Sequence, residues 1–183
     1  MDTMPFGCGM RGMTSGPLTL CEGLQRLKEE HPPLRKQMEE LFKEAQAIGD
    51  DAGVEDWEAP LRALEEKVKI FVAELDPHSK REEDVLFPLM AKHIGREMGP
   101  IAVMEYEHEQ AKTRLSGFLA TMASLTGPIK ADTARRIAGE VSEAVQILFD
   151  HFMKEENVLF PMAERILSDA EKEELLAGVK ATG

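Results

Sequence analysis

The chain has 183 residues, 43% hydrophobic, 31% charged and only 5% aromatic, with a formal net charge of −12, which is enough for one domain with a proper core. That charge excludes nucleic acid and anionic membrane surfaces as natural partners, and no stretch is long and apolar enough to span a bilayer. The apolar set is rich in Leu, Ala, Met, Val and Ile, a balance that favours helices over sheets.

The first residues, MDTMPFGCGMRGMTSG, carry an acid at Asp2 and no continuous apolar run, so they do not read as a secretory signal. Residues 1–17 are expected to form a flexible Gly/Met-rich tail. Cys8 and Cys21 are unpatterned, which points to a reducing compartment, the cytoplasm, rather than to a disulfide framework.

From residue 18 onward a spacing of alternating three and four residues marks core-facing helix stripes, and it occurs four times. The first runs Leu20, Leu24, Leu27, His31, Leu34, Met38, Leu41, Ala45, Ile48 and stops at Gly49. The second begins after Pro60 with Leu61, Leu64, Val68, Phe71, Leu75, His78, Glu82, Val85, Leu89 and ends near Gly95. Pro100 opens the third, Ile101, Met104, His108, Ala111, Leu115, Phe118, Met122, Leu125, which Gly127 and Pro128 close. The fourth is Ile137, Val141, Ala144, Leu148, His151, Glu155, Val158, Met162, Ile166, with Asp132 or Thr133 placed to cap its start. Pro32, Pro33 and Pro77 lie inside the stripes and should kink their helices. Ser168 and Glu171 have capping-box spacing ahead of Leu175 and Leu176. The expected architecture is therefore all-α: an up-down-up-down four-helix bundle over 18–167, then a short C-terminal helix and tail over 168–183.

Each stripe is apolar except where a His or Glu takes a core position. A lone core histidine is more often a hydrogen-bonded structural residue than a ligand. Here there are four, one per helix, at levels that coincide when antiparallel neighbours are aligned. Two are followed by a glutamate four residues on, about 6 Å along the axis and about 40° around it, so both side chains of each pair face one cavity. Carboxylates in an apolar core would cost several kcal/mol each or take up protons, and a pair of cations removes that problem. His31, His78, Glu82, His108, His151 and Glu155 are the expected metal ligands. Glu74 and Glu107 are placed to support them from outside the ligand set, His93 is too far along its helix to join, and Glu83 and Glu156 should point away from the cavity.

An internal repeat supports the pairing. H-x3-E-E-[DN]-V-L-F-P occurs from His78 to Pro88 and again from His151 to Pro161, and a weaker echo, Glu-His followed by a basic residue, surrounds His31 and His108. The chain reads as two helical hairpins related by a pseudo-twofold axis, each supplying a His from its first helix and a His plus a Glu from its second. That symmetry implies one metal held mainly by each half, with the glutamates between them.

At these residues the sequence resembles the hemerythrin-like, or HHE cation-binding, family from about Leu20 to Ile166. The resemblance implies two iron ions with oxo or hydroxo bridges, although His/Glu ligation also suits zinc or manganese. Oxygen carriers of that family place a second histidine where this chain has Lys112. The pattern is nearer to bacterial proteins that repair iron–sulfur centres, which typically carry a separate cysteine-bearing N-terminal domain where this chain has a short tail with Cys8. The expected function is that of a non-haem di-iron protein that binds or reacts with a small ligand, oxygen, nitric oxide or peroxide, in redox or nitrosative stress, with a redox protein as partner. The alternatives are an iron store or donor for repair of iron–sulfur centres, and a structural zinc or manganese bundle.

Overall fold

The computed structural model describes residues 18–182, so the expected tail at 1–17 lies outside the described residues. Helix α1 spans Glu22–Ala47 and α2 spans Glu58–Arg81. α2 runs on through a π-helical turn, Glu82–Leu86, into α3, Phe87–Ile94. After α4, Pro100–Ser124, the pattern repeats: α5, Ala131–Lys154, passes through a second π turn, Glu155–Leu159, into α6, Phe160–Ile166. α7, Asp169–Ala181, closes the chain. The fold is thus an all-α up-down-up-down bundle with a short C-terminal helix, and no strand occurs among the described residues.

The four stripes account for the packing. Leu24, Leu27, His31, Leu34, Met38 and Leu41 on α1 are buried, as are the corresponding residues of the other three helices, each fully buried Leu, Val or Phe contributing about 1.5–3 kcal/mol. α1 continues through Pro32 and Pro33, and α2 through Pro77. Gly49 ends the first descent at φ +88°, where a Cβ would meet the Ala131 carbonyl oxygen at 2.9 Å. Across the same end, the Trp57 N–H donates to the Ile129 carbonyl and the Ile129 N–H to Asp56, which ties the two loops together. The start of α5 departs from expectation: Lys130 precedes it without a side-chain cap, and Asp132 pairs instead with Arg135 at 2.7 Å.

The larger departure is in the helical register. In each repeat the Phe N–H reaches back five residues, Phe87 to the Glu82 carbonyl and Phe160 to that of Glu155. The following Pro88 and Pro161 have no N–H to give, and their rings would clash with the carbonyl four residues back, so the widened turn absorbs an extra residue. Everything beyond it rotates about 100° relative to an uninterrupted α-helix. Leu86, Phe87, Met90, Leu159, Phe160 and Ala163 turn into the core, whereas Val158, expected in the stripe, is 51% exposed.

The apolar core is accordingly divided. One cluster, from Leu34 and Phe71 to Ile137 and Phe152, fills the end of the bundle nearest Trp57. A second, built from Leu24, Leu27, Leu86, Phe87, Met104, Phe160 and Leu175, fills the end covered by α7. The buried His and Glu residues form a polar layer between these two apolar clusters.

Candidate metal centre

All six predicted ligands come together in that layer. Among the described residues, one ligand atom from each of His31, His78, Glu82 and Glu155 lies within 4.8 Å of the others, and the same holds for Glu82, His108, His151 and Glu155. Both glutamates belong to both groups. The helix is still regular where the ligands sit, the Glu82 N–H bonding the His78 carbonyl and the Glu155 N–H that of His151, so each His–Glu pair keeps the four-residue step that faces both side chains inward, and the π turn begins only at the glutamate. Glu155 lies 3.3 Å from His31 Nε2 and 2.9 Å from His151 Nε2. Glu82 lies 3.6 Å from His78 Nε2 and 3.5 Å from His108 Nε2.

These groups are sealed from water, the four histidines being 0–3% exposed and both glutamates 0%. The Nε2 atoms of His31, His78 and His151 and all four carboxylate oxygens of Glu82 and Glu155 have no hydrogen-bond partner. Buried polar atoms left unpaired cost about 1–3 kcal/mol each, more when charged. Such a concentration of lone pairs aimed at one another is the donor set of a cation site. The residues present therefore fit a bound metal pair.

The outer nitrogen of every histidine is occupied. His31 Nδ1 lies 2.6 Å from Glu156, His78 Nδ1 2.7 Å from Glu30, His108 Nδ1 2.7 Å from Glu83 and His151 Nδ1 3.1 Å from Glu107. Each of these carboxylates is backed by a cation: Glu156 by Arg35 at 2.9 Å, Glu30 by Arg81 at 3.3 Å, Glu83 by Lys112 at 2.9 Å, and Glu107 by Lys154. A carboxylate on Nδ1 makes that atom the donor and aims the Nε2 lone pair inward, which fixes the tautomer and raises ligand basicity. The four relays obey the pseudo-twofold: Glu30 and Glu107 act within their own hairpins, Glu83 and Glu156 across to the other.

Sequence reasoning placed Glu107 near the site but missed the other three relays. Glu74 accepts a hydrogen bond from Gln37 at the surface instead. Glu83 and Glu156 stay out of the cavity, as one step round from a ligand requires, yet in a bundle that direction faces the next helix rather than water. The signal was present in the repeat, where Glu-His and Glu-Glu each occur twice, with a basic residue four after the first histidine and three after the second. Lys112, which stands where oxygen carriers have a histidine, is one of those basic residues and supports Glu83.

Charge in this layer is balanced by protons when no metal is bound. Burial alone would push His151 down, but Glu155 and Glu107 outweigh it and raise its pKa to about 10. The same contest raises His78, through Glu82 and Glu30, and His108, through Glu82 and Glu83. Burial would raise Glu155, but His151 and His31 hold it well below the usual carboxylate range. The hydrogen bond to His108, with Lys112 beside it, lowers Glu83 to about 2 against its partial burial. Aromatic rings complete the walls: Phe152 stacks on His31 with centroids 4.1 Å apart, and Phe87 lies against His108 at 5.8 Å.

Helices, donor set and repeat agree with comparison to known proteins: residues 22–163 match the hemerythrin HHE cation-binding domain, and the chain belongs to that family. Among its relatives, the iron–sulfur cluster repair protein YtfE of Musicola paradisiaca (strain Ech703) is 32% identical over 144 residues, which cover 78% of this chain and 63% of that protein. YtfE of Escherichia coli O139:H28 is 33% identical over 135 residues, 73% of this chain and 60% of that protein. The kinship is thus to the iron-centre repair type rather than to the oxygen carriers, and the chain spans about three fifths of the length of these relatives. No helix among the described residues is long and apolar enough to cross a membrane.

Proposed function

We propose that this chain is a non-haem di-iron protein serving the maintenance of iron–sulfur clusters under oxidative or nitrosative stress, by binding or reacting with oxygen, nitric oxide or peroxide. The observation that carries the reading is the pair of buried four-residue donor sets joined by Glu82 and Glu155. His31 and His78 would hold one iron, His108 and His151 the other, with the two glutamates spanning them. When bound, the irons supply Lewis acidity and exchangeable electrons. The protein's share is to aim four imidazoles through their relays, to exclude water with Phe87, Phe152 and Phe160, and to leave fewer imidazoles on the metals than an oxygen carrier has.

The names of the relatives favour a second reading, in which the iron itself is donated to damaged clusters. Anaerobic purification with metal analysis is the first test. Two irons per chain support the proposal, whereas zinc or manganese in their place would overturn it. Turnover of nitric oxide or peroxide with a reductant supports reaction at the site, and transfer of iron to an apo iron–sulfur acceptor supports donation. The cytoplasm is the compartment this reading requires, and a redox protein is the partner it calls for.

A further inference from the structure

The two hairpins differ in how solvent approaches the site. Pro33 in α1 and Pro77 in α2 flank the first hairpin's histidines, and the repeat places Gln110 and Asp150 at the equivalent positions in α4 and α5. Pro77 has no N–H for the Ala73 carbonyl, so one helical hydrogen bond is missing beside His78. In the seam there lies a groove of about 340 Å³, walled by Pro33, Ala73, Glu74 and Pro77 and reaching Glu30, Arg81 and His78. A depression of about 300 Å³ between α2 and α4 reaches Lys112 but none of the six ligands.

The groove has the chemistry of a cation path. The carboxylates of Glu30 and Glu74 offer oxygen donors suited to a hydrated divalent ion. Its one cationic side chain, Arg81, is engaged by Glu30 at 3.3 Å. Glu30 also holds His78 Nδ1 at 2.7 Å, while Nε2 of the same ring is one of the unpaired atoms facing Glu82. A single imidazole therefore separates a groove carboxylate from the buried donor set. A neutral diatomic gas needs no oxygen-lined path, whereas a cation shedding water does.

We propose that the α1–α2 groove is the port through which divalent iron reaches and leaves the buried centre, with Glu30 passing it to the His78 side and Arg81 as the latch on Glu30. This rests on the metal-binding reading above. The step is ligand exchange only: water leaves the cation as groove oxygens and then the buried donors replace it, with no change of oxidation state. When the cation engages Glu30, the carboxylate releases Arg81 to solvent and His78 is free to swing, opening the way to Glu82.

Stopped-flow uptake of ferrous iron by the metal-free chain, and its removal by a ferrous chelator, both under anaerobic conditions, test the port. Ala73 is exposed, so Ala73→Phe blocks the groove without touching the core. It should slow uptake and removal alike by about tenfold or more, with equilibrium iron content unchanged. Gln146→Phe, its counterpart in the second hairpin, should leave both rates at the wild-type value. Arg81→Gln should speed uptake by unlatching Glu30. Equal rates for Ala73→Phe and wild type, or equal slowing by Gln146→Phe, would overturn the port while leaving the metal centre standing. A wild-type chain that takes up no iron at all would overturn the metal centre and the port together.

Discussion

Glu30, His31, His78, Glu82 and Glu83 in the first hairpin answer one by one to Glu107, His108, His151, Glu155 and Glu156 in the second, yet the two hairpins differ in what surrounds them. The relays of the first hairpin's helices end on arginines, Arg35 and Arg81, and those of the second on lysines, Lys112 and Lys154. Pro32, Pro33 and Pro77 lie in α1 and α2, whereas α4 and α5 pack on each other more extensively. Phe152, which lies flat on His31, has Ser79 as its counterpart. The duplicated residues are those that a metal pair would require of any scaffold: inward donors and the carboxylates that orient them. The differing residues lie around the two donor sets, where access, rigidity and room for a bound cation would be decided.

The strongest way to break the comparison is to remove a shared donor. Glu82→Ala and Glu155→Ala should each reduce bound metal from two to at most one per chain, measured by elemental analysis, because each carboxylate belongs to both donor sets. Two metals retained in either variant would refute the shared role. Next in size are the apolar residues set inward by the π turns. Leu86→Ala and Leu159→Ala should each cost about 2–5 kcal/mol of stability in denaturant unfolding, since both side chains are 0–1% exposed.

Relay variants sharpen the symmetry rather than break it. Glu83→Gln and Glu156→Gln should each weaken metal binding about 10- to 100-fold in competition titrations. Similar losses would show that the two cross-hairpin relays are equivalent, and a large inequality would show that arginine and lysine backing are not.

Acidity acts on both halves. His78, His108 and His151 are raised in the metal-free chain, so a cation must displace their protons. Apparent affinity should fall by about tenfold per pH unit for each proton displaced as the solution is acidified, with matching proton release in an indicator assay. For the metal-free chain, the stabilising contribution of His151 is fully present below its ordinary 6.5 and is lost as pH rises through about 10. That of Glu155 is present above its ordinary 4.5 and is lost as pH falls below it. Thermal midpoints of the metal-free chain should therefore be highest between pH 4.5 and 6.5 and should decline on the alkaline side. The smallest effect is expected at Val158, where Val158→Thr should change stability by no more than about 0.5 kcal/mol. A core-sized loss there would restore the uninterrupted helical register.

The helices and the six inward donors were legible because a polar residue stands out in an apolar stripe. His31, among Leu27, Leu34 and Met38, is visible to anyone counting threes and fours. Glu30, Glu83 and Glu156 were not legible in the same way, because acids next to a ligand look like an ordinary solvated face until the partner helix is in place. Periodicity failed at Val158 for a different reason. It assumes a constant turn, and Pro88 and Pro161 each force one residue of extra winding just after a ligand. The two prolines announce a break in helical hydrogen bonding, but nothing in their spacing says whether the helix will kink, end or widen.

That widened turn also governs the C-terminal helix. Turning Leu86 inward leaves Val85 beside the core, where it meets α7 at Gly178, and a Cβ on Gly178 would come within 2.5 Å of it. α7 is also anchored by its Ser168–Glu171 capping box and by the Glu171 contact to His93 at 2.9 Å. The strip of backbone that delivers Glu82 to the centre of the bundle thus also forms the seat for its lid. A glutamate in the middle of the protein and a glycine near its end are mechanically neighbours, separated by a single turn whose winding neither can change alone.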